Sequence, residues 1–339
     1  MERIGSEAGT VTADRLAQKL KSQADGAAPD AIGHRVVHGM LHSQPERVTP
    51  KLLTELRSIE SLDPEHLPRE IELIEAMQRQ YPNVPQVACF DTAFHRGMPV
   101  EATLLPIPRR YAAKGVQRYG FHGLSYTFLM QELVRVGDRA ASQGRVILAH
   151  LGSGASLAAV LNGRSIDTSM GFTPAAGLVM GTRSGDLDPG LASYLMLGES
   201  MNAAQFQTMV NDQSGLLGIA ETSADVRDLL DRETTDSRAR EAIAIFCYQA
   251  KKWIGAYTAA LGGLDTLVFA GGIGENAAAV RRRICDGLQC VGIELDEARN
   301  VEHAACISTG RVTVRVIRTD EESVIANLTA QCVGISTEV

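Results

Sequence analysis

A chain of 339 residues with 45% hydrophobic, 22% charged and 5% aromatic side chains has the make-up of an ordinary globular protein, long enough for about two domains. A net charge of −7 offers no clustered Lys and Arg footprint for a phosphate backbone, so no nucleic-acid partner is expected. No run reaches the roughly 18 apolar residues of a membrane helix, and MERIGSEAGT lacks a signal peptide's basic flank and apolar stretch, so a cytoplasmic protein with no membrane partner is expected. Six cysteines, Cys89, Cys247, Cys285, Cys290, Cys306 and Cys332, follow no zinc spacing and read as buried thiols of a reducing compartment. The one basic run, Arg281-Arg282-Arg283, reads as the solvated face of a helix.

Apolar strand-like runs alternate with helical patterns, which predicts α/β architecture. Thr12 can cap a helix running to Leu20, and AIGHRVVHG, residues 31–39, is a β-branched strand closed by Gly39. Two helices follow, TPKLLTELRSIESL and PREIELIEAMQRQ, with Pro50 and Pro68 in their first turns. PQVACFDTAFH, residues 85–95, is a strand ending in polar residues, and Ser125 is placed to cap the helix YTFLMQELVRV. AHLGSGASLAAVLNG, residues 149–163, takes an apolar strand into a loop with Gly152 and Gly154 and on to the turn-forming Asn162-Gly163, after which RSIDTSMGFT continues as a strand. Helices come next, the clearest over residues 237–260, where Ile243, Phe246, Cys247, Ala250, Ile254 and Tyr257 recur at helical spacing as a core stripe. In LDTLVFAGGIGENAAAVRRRI a strand at 266–270 again meets glycines before a helix, and VTVRVIRTDEESVIANLTA reads as strand, acidic turn and terminal helix. At least two strands therefore deliver glycine-rich loops to the C-terminal edge of a sheet, where open α/β folds bind ligands.

The loop at residues 152–154 has no Gly-Lys-Ser/Thr ending and no helix directly behind it, so it is not a Walker loop. GGIGEN places backbone N–H groups near a helix N-terminus, which attracts anions; alone it is equally a strand–helix turn, and the pair of loops favours a nucleotide. Arg183, in MGTRSGDLDPG, is by itself a turn arginine, ahead of a helix starting near Asp188 and Pro189. Arg35 lies in an otherwise apolar strand, where a buried guanidinium needs an anion from a ligand or a structural carboxylate. His122 and Asp91 sit at ends of elements, where ligand-facing side chains tend to be placed. His38, His42, His95 and His303 read as structural, and Glu321-Glu322 as either a Mg²⁺ carboxylate site or the acidic first turn of a helix. The sum is a two-domain α/β protein that binds nucleotide and has groups suited to phosphoryl transfer.

GHRVVHG, CFDTAFH, RYGFHGLSY, HLGSGASLAAV, DTSMGFTPAAGLVMGTRSGDLDPG, LVFAGGIGEN and TDEESVIA, in this order and over nearly the whole chain, resemble the acetate kinase family. The resemblance implies two ribonuclease H-like domains of the sugar kinase/Hsp70/actin superfamily. The first, incomplete at its N-terminus, would span residues 1–92 plus 323–339, and the nucleotide-binding one residues 93–322. It also implies a homodimer and reversible transfer of the ATP γ-phosphate to acetate with Mg²⁺, giving acetyl phosphate and ADP. By motif, Asp91, His122 and Arg183 would be catalytic, Arg35 and His66 would bind substrate, and Glu321 would hold the metal. The nucleotide would contact His150, Leu151, Gly152, Ser153 and Gly154, then Asp225, Val226 and Arg227, then Gly272, Ile273, Gly274, Glu275 and Asn276. Val37, Phe121 and Pro174 would wall a small methyl pocket. A carboxyl like that of acetate titrates near ~4 and is ionised at neutral pH, so no general base is required and Asp91 is expected to orient Mg²⁺ or Arg35.

Two departures stand out. The family's opening strand and Asn-x-Gly-Ser-Ser-Ser loop, which supplies a magnesium-site asparagine, hydroxyls and a lysine, has no counterpart in this sequence. Either a start codon is placed too far downstream, or the chain is a truncated paralogue that binds nucleotide with weak or no kinase activity; lacking those strands, the first sheet would have unpaired edges. Ser153 stands where the family has Asn, with shorter reach and consequences for nucleotide affinity. A propionate-preferring kinase is the nearest variant. A sugar kinase is disfavoured, because a hydroxyl acceptor needs a base and only Asp91 is offered.

Overall fold

The computed structural model describes Ser22 and residues 28–40, 42–64 and 66–335, and the helix expected over Thr12 to Leu20 lies outside them. The described residues divide into two compact units, one drawn from Met1–Ala93 and Glu322–Val339, the other from Phe94–Glu321.

The first unit is built on three strands, β1 (Ile32–Val36), β2 (Glu46–Arg47) and β3 (Gln86–Phe90), in the order β1-β3-β2. β1 runs parallel to β3 and β2 antiparallel to it. Every residue of β3 is buried: the apolar run Val87–Phe90, and Gln86, whose Oε1 meets His34 Nε2 at 2.7 Å. Thr49 caps the helix Pro50–Ser58 by accepting the Leu52 N–H at 3.2 Å, with Pro50 in the first turn where its missing N–H costs nothing. This helix and Leu67–Gln80 close Leu52, Leu56, Leu67, Ile71 and Ile74 over Val36, Ala88 and Phe90. The terminal helix Glu321–Val333 approaches β1 where there is no side chain, since a Cβ on Gly33 would lie 2.3 Å from Thr329 Oγ1.

The second unit has five strands, β4 (Arg145–Leu151), β5 (Ala155–Leu161), β6 (Arg164–Thr168), β7 (Thr266–Ala270) and β8 (Thr313–Val316), in the order β6-β5-β4-β7-β8. β4, β5 and β6 form an antiparallel meander, while β7 lies parallel to β4 and β8 parallel to β7. Asn162 and Gly163 both take positive φ, 50° and 79°, as a two-residue hairpin turn between right-twisted strands requires. Asp236 caps the helix Ser237–Ala260, whose Ile243, Phe246, Cys247, Ala250, Ile254 and Tyr257 are all buried.

Three local expectations are corrected. The helix expected to start at Ser125 runs over Gly123–Arg135 with His122 at its N-cap in the left-handed conformation, so Ser125 lies inside the helix and caps nothing. Arg281 does not belong to a solvated face; it is fully buried. Of the six thiols only Cys89, Cys247 and Cys285 are buried, whereas Cys290 is exposed.

Candidate active site

β4 and β7, parallel neighbours, reach the same edge of the second unit's sheet, and each ends in a glycine turn. After β4, Gly152–Ser153–Gly154 is a tight hairpin: Leu151 pairs with Ala155, and the Gly152 N–H donates to Gly154 O at 3.0 Å. After β7, the chain passes directly into the helix Gly271–Asn276, with Gly271 at φ +75°. A Cβ there would lie 2.7 Å from Leu151 O and 3.1 Å from His150 Nε2, so only glycine allows the two turns to abut. Glu275 Oε1 accepts the N–H groups of Gly271 at 3.0 Å and Thr319 at 3.2 Å. The Thr319 hydroxyl meets Ser125 Oγ at 2.8 Å, and Ser125 Oγ meets His150 Nδ1 at 2.8 Å. Glu321, partly buried, follows two residues beyond Thr319 at the start of its helix.

His122 is aimed by its strained N-cap backbone, φ +59°, and by β5, where Ser156 Oγ lies 2.9 Å from its Nδ1. Tyr126 OH meets the same Ser156 Oγ. The rings of His122 and His150 stack at 4.3 Å between centroids. A Cβ on Gly154 would lie 3.4 Å from His122 Nε2 and 3.8 Å from an Arg183 guanidinium nitrogen, which brings both side chains to the hairpin. The Gly181 N–H donates to Ser153 O at 3.0 Å, leaving the Ser153 side chain exposed, and a Cβ on Gly181 would lie 3.5 Å from Ala224 O. Asp225 then caps the helix Val226–Arg232 by accepting the Arg227 N–H at 2.9 Å, and pairs with the Arg227 guanidinium at 2.7 Å. Leu151 and Val226 are buried and support the turns from beneath. Asn276 Nδ2 donates to Gly272 O at 2.9 Å, bracing that turn, while Gly272 is exposed and Ile273 partly so.

The second turn has a buried support that the sequence concealed. Arg281 donates from Nη1 to Gly274 O at 2.8 Å and Glu275 O at 2.9 Å, and from Nε to Asn300 Oδ1 at 2.8 Å. Its Nη2 reaches Asn300 O at 2.6 Å and His303 Nδ1 at 3.1 Å. Burial lowers its affinity for a proton, and the ring of neutral acceptors solvates the charge. His95, which the sequence reads as structural, is fully buried between Ser165 Oγ and Phe121 O, and burial pushes its pKa down to about 4.

The first unit carries the other expected groups. Arg35 Nε and Nη2 both donate to Asp91 Oδ2, at 3.0 and 2.5 Å. The expectation of a buried guanidinium is corrected: the Arg35 side chain is 40% exposed and Asp91 is the buried partner. Arg35 sits on β1, partly exposed as a long side chain with a charged tip can be, while its Nε and Nη2 stay on the buried Asp91. Asp91 Oδ1 is buried with no hydrogen-bond partner among the described residues. His66 precedes the helix Leu67–Gln80, with Nδ1 2.9 Å from Oδ1 of the buried Asp63. Val37 is buried, and its N–H donates to Glu70 Oε2 at 3.1 Å. Burial pushes the Glu70 carboxyl up to about 7, against the lowering effects of that N–H and of Arg35. In the sequence Glu70 is one more acidic residue in the first turn of an amphipathic helix, where the dipole alone accounts for it. Phe121 and Pro174 are both buried in the second unit.

The fold that carries these groups is the mixed α/β fold of solved short-chain acyl kinases. An acetate kinase from Porphyromonas gingivalis superposes with a TM-score of 0.87 at 37% identity, covering 96% of this chain and 85% of that one. A propionate kinase from Francisella tularensis gives a TM-score of 0.89 at 37% identity, covering 94% and 83%. The chain belongs to the acetokinase family, whose model matches residues 4–327. The acetate kinase of Rhodopseudomonas palustris is 46% identical over 301 residues, which are 87% of this chain and 75% of that enzyme. That of Thermoanaerobacterium thermosaccharolyticum is 45% identical over 312 residues.

Proposed function

We propose that the protein is an ATP-dependent phosphotransferase that moves the γ-phosphoryl group reversibly to acetate, giving acetyl phosphate and ADP. The observation that carries this reading is the convergence of two glycine turns, His122, His150 and Arg183 at one end of the second unit's sheet. Exposed backbone N–H groups, an imidazole and a guanidinium neutralise the charge on a transferring phosphoryl group, and phosphoryl transfer asks little else of a protein. In this reading the nucleotide lies along His150–Gly154, Asp225–Arg227 and Gly272–Asn276. If the Tyr126 hydroxyl donates to Ser156 Oγ, and Ser156 to His122 Nδ1, the imidazole's Nε2 carries the proton and faces the phosphate as a donor.

Arg35 binds the acceptor carboxylate, Asp91 holds the guanidinium in place, and His66 lines the acceptor side. Acetate attacks as its anion, so no proton is removed and Asp91 acts on Arg35 rather than on substrate. Among the described residues no three His, Cys, Asp or Glu side chains gather to cage a metal. That fits Mg²⁺, which keeps most of its shell as water and substrate phosphate and takes one or two protein carboxylates. Glu321 is the carboxylate we assign to it, and the ion would neutralise charge on the nucleotide phosphates.

The reading makes the protein cytoplasmic, where ATP is supplied, and a homodimer. The dimer is supported by the helix Pro189–Gly198, none of whose residues is buried although Tyr194 is 69% and Leu197 85% exposed. A stripe of that kind is normally covered by a partner. The deciding experiment is Mg²⁺- and ATP-dependent formation of acetyl hydroxamate by the purified chain. Activity with acetate, with propionate run in parallel, supports the reading; nucleotide binding with no acyl phosphate from either acid would refute it.

A further inference from the structure

Glu70 lies in the first turn of the helix Leu67–Gln80, and its Oε2 accepts the backbone N–H of Val37, two residues beyond Arg35. Arg35 already has one full counter-charge in Asp91. Among the described residues, the charged groups that act on Glu70 are Arg35 from β1, Asp91 from the end of β3, and Asp63 from the turn ahead of its own helix, with His66 held on Asp63. One guanidinium thus stands among three carboxyls, and whether the cluster attracts or repels a further anion depends on the charge of Glu70.

We propose that Glu70 is a positioning residue for the carboxylate acceptor, a second anion that weakens the acceptor's hold on Arg35 when ionised and strengthens it when protonated. The proposal rests on the reading of Arg35 as the acceptor-binding group. Because burial brings the Glu70 carboxyl up to about 7, the change falls near neutral pH. Acetate stays a carboxylate throughout that range, so its own ionisation cannot mimic the effect. One added unit charge near enough to act on Arg35, partly screened, alters the binding of an anion there about three- to tenfold.

The test is KM for acetate from pH 6 to pH 8.5 in the native enzyme and in Glu70→Gln, with saturating MgATP and thermal melting to confirm folding. Gln keeps an oxygen for the Val37 N–H, so the backbone contact survives the substitution. The expected result is a native KM that rises about three- to tenfold through pH 7, a variant KM that stays low and level, and a smaller change in kcat. A level native KM overturns the proposal even if the variant fails to fold, and a parallel rise in both proteins overturns it as well. Absence of acetate turnover at every pH would overturn the functional reading and this proposal together, whereas turnover with a level KM overturns this proposal alone.

Discussion

Replacing Arg281 by Met tests how the second glycine turn is held. Five N–H donors of the guanidinium meet five acceptors, and two of these are the carbonyls of Gly274 and Glu275 near the C-terminal end of the helix Gly271–Asn276. Met fills a similar volume but donates nothing, leaving those carbonyls and Asn300 Oδ1 buried and unmet. Each hydrogen bond to a charged group is worth about 1.5–3 kcal/mol, but removing the guanidinium also removes the cost of burying a charge, so the net loss is about 3–5 kcal/mol. In a unit the size of Phe94–Glu321 each kcal/mol lowers Tm by about 2–4 °C, so a drop of roughly 10 °C is expected. Function should respond in one direction: KM for ATP rises while KM for acetate holds. Arg281→Lys should recover little, because three donors on a flexible stem cannot reproduce a planar fork. Scanning calorimetry and initial rates with each substrate varied would decide it. A Met variant within 2 °C of native, or one that raises only the acetate KM, would refute the assignment of Arg281 as the turn's support.

Other substitutions probe the remaining parts. Asp91→Asn should lower kcat/KM for acetate by a similar factor at every pH between 6 and 9, because the loss is in orienting Arg35; a pH–rate profile that lost only its acidic limb would assign Asp91 to proton transfer instead. Ser153→Asn should leave the hairpin intact, since the bond that closes it runs from Gly152 N–H to Gly154 O and Ser153 offers only its carbonyl, to Gly181 N–H, and it should change KM for ATP without moving KM for acetate. His95 has a folded pKa near 4 against 6.5 in the unfolded chain, so the unfolded state takes up the proton first as pH falls. Stability should therefore be full above about 6.5 and decline by up to about 1.4 kcal/mol per pH unit between there and about 4, a slope that denaturant titrations should find flattened in His95→Gln. Leu197→Asp should yield monomers by light scattering, because that side chain is 85% exposed on the single chain and a charge there opposes its burial against a partner.

What could be read in the sequence is what neighbouring residues decide. The strands β4 and β7 announce themselves as apolar runs cut by glycines, the hairpin after β5 as Asn-Gly, and the helix starts at Pro50 and Pro189 by a capping Thr49 and Asp188. Acidic and basic residues at the site were visible through family motifs rather than through physics, since one Arg or His in a turn has many harmless explanations. What escaped is set by contacts far along the chain. Ser125 carries a good capping side chain, but the backbone has already turned at His122, and the hydroxyl is used by His150 and by Thr319, 194 residues away.

The arginine run shows the same limit more sharply. Three consecutive arginines on a helix point in three directions about 100° apart, and composition cannot say which one faces inward. Asn300, 19 residues on, and the carbonyls of Gly274 and Glu275 decide it, because together they offer the acceptors a buried guanidinium needs. Arg283 turns instead to Glu233, and Arg282 stays exposed beside Glu297. Glu70 follows the same logic from the other side: its helix position is ordinary, burial makes its ionisation costly, and the Val37 N–H just beyond β1 and the Arg35 charge offset only part of that cost. In both cases a surface-type residue is drawn into the support of the site by a backbone group it could not be seen to meet, and such residues are where substitutions will alter substrate affinity without touching a substrate.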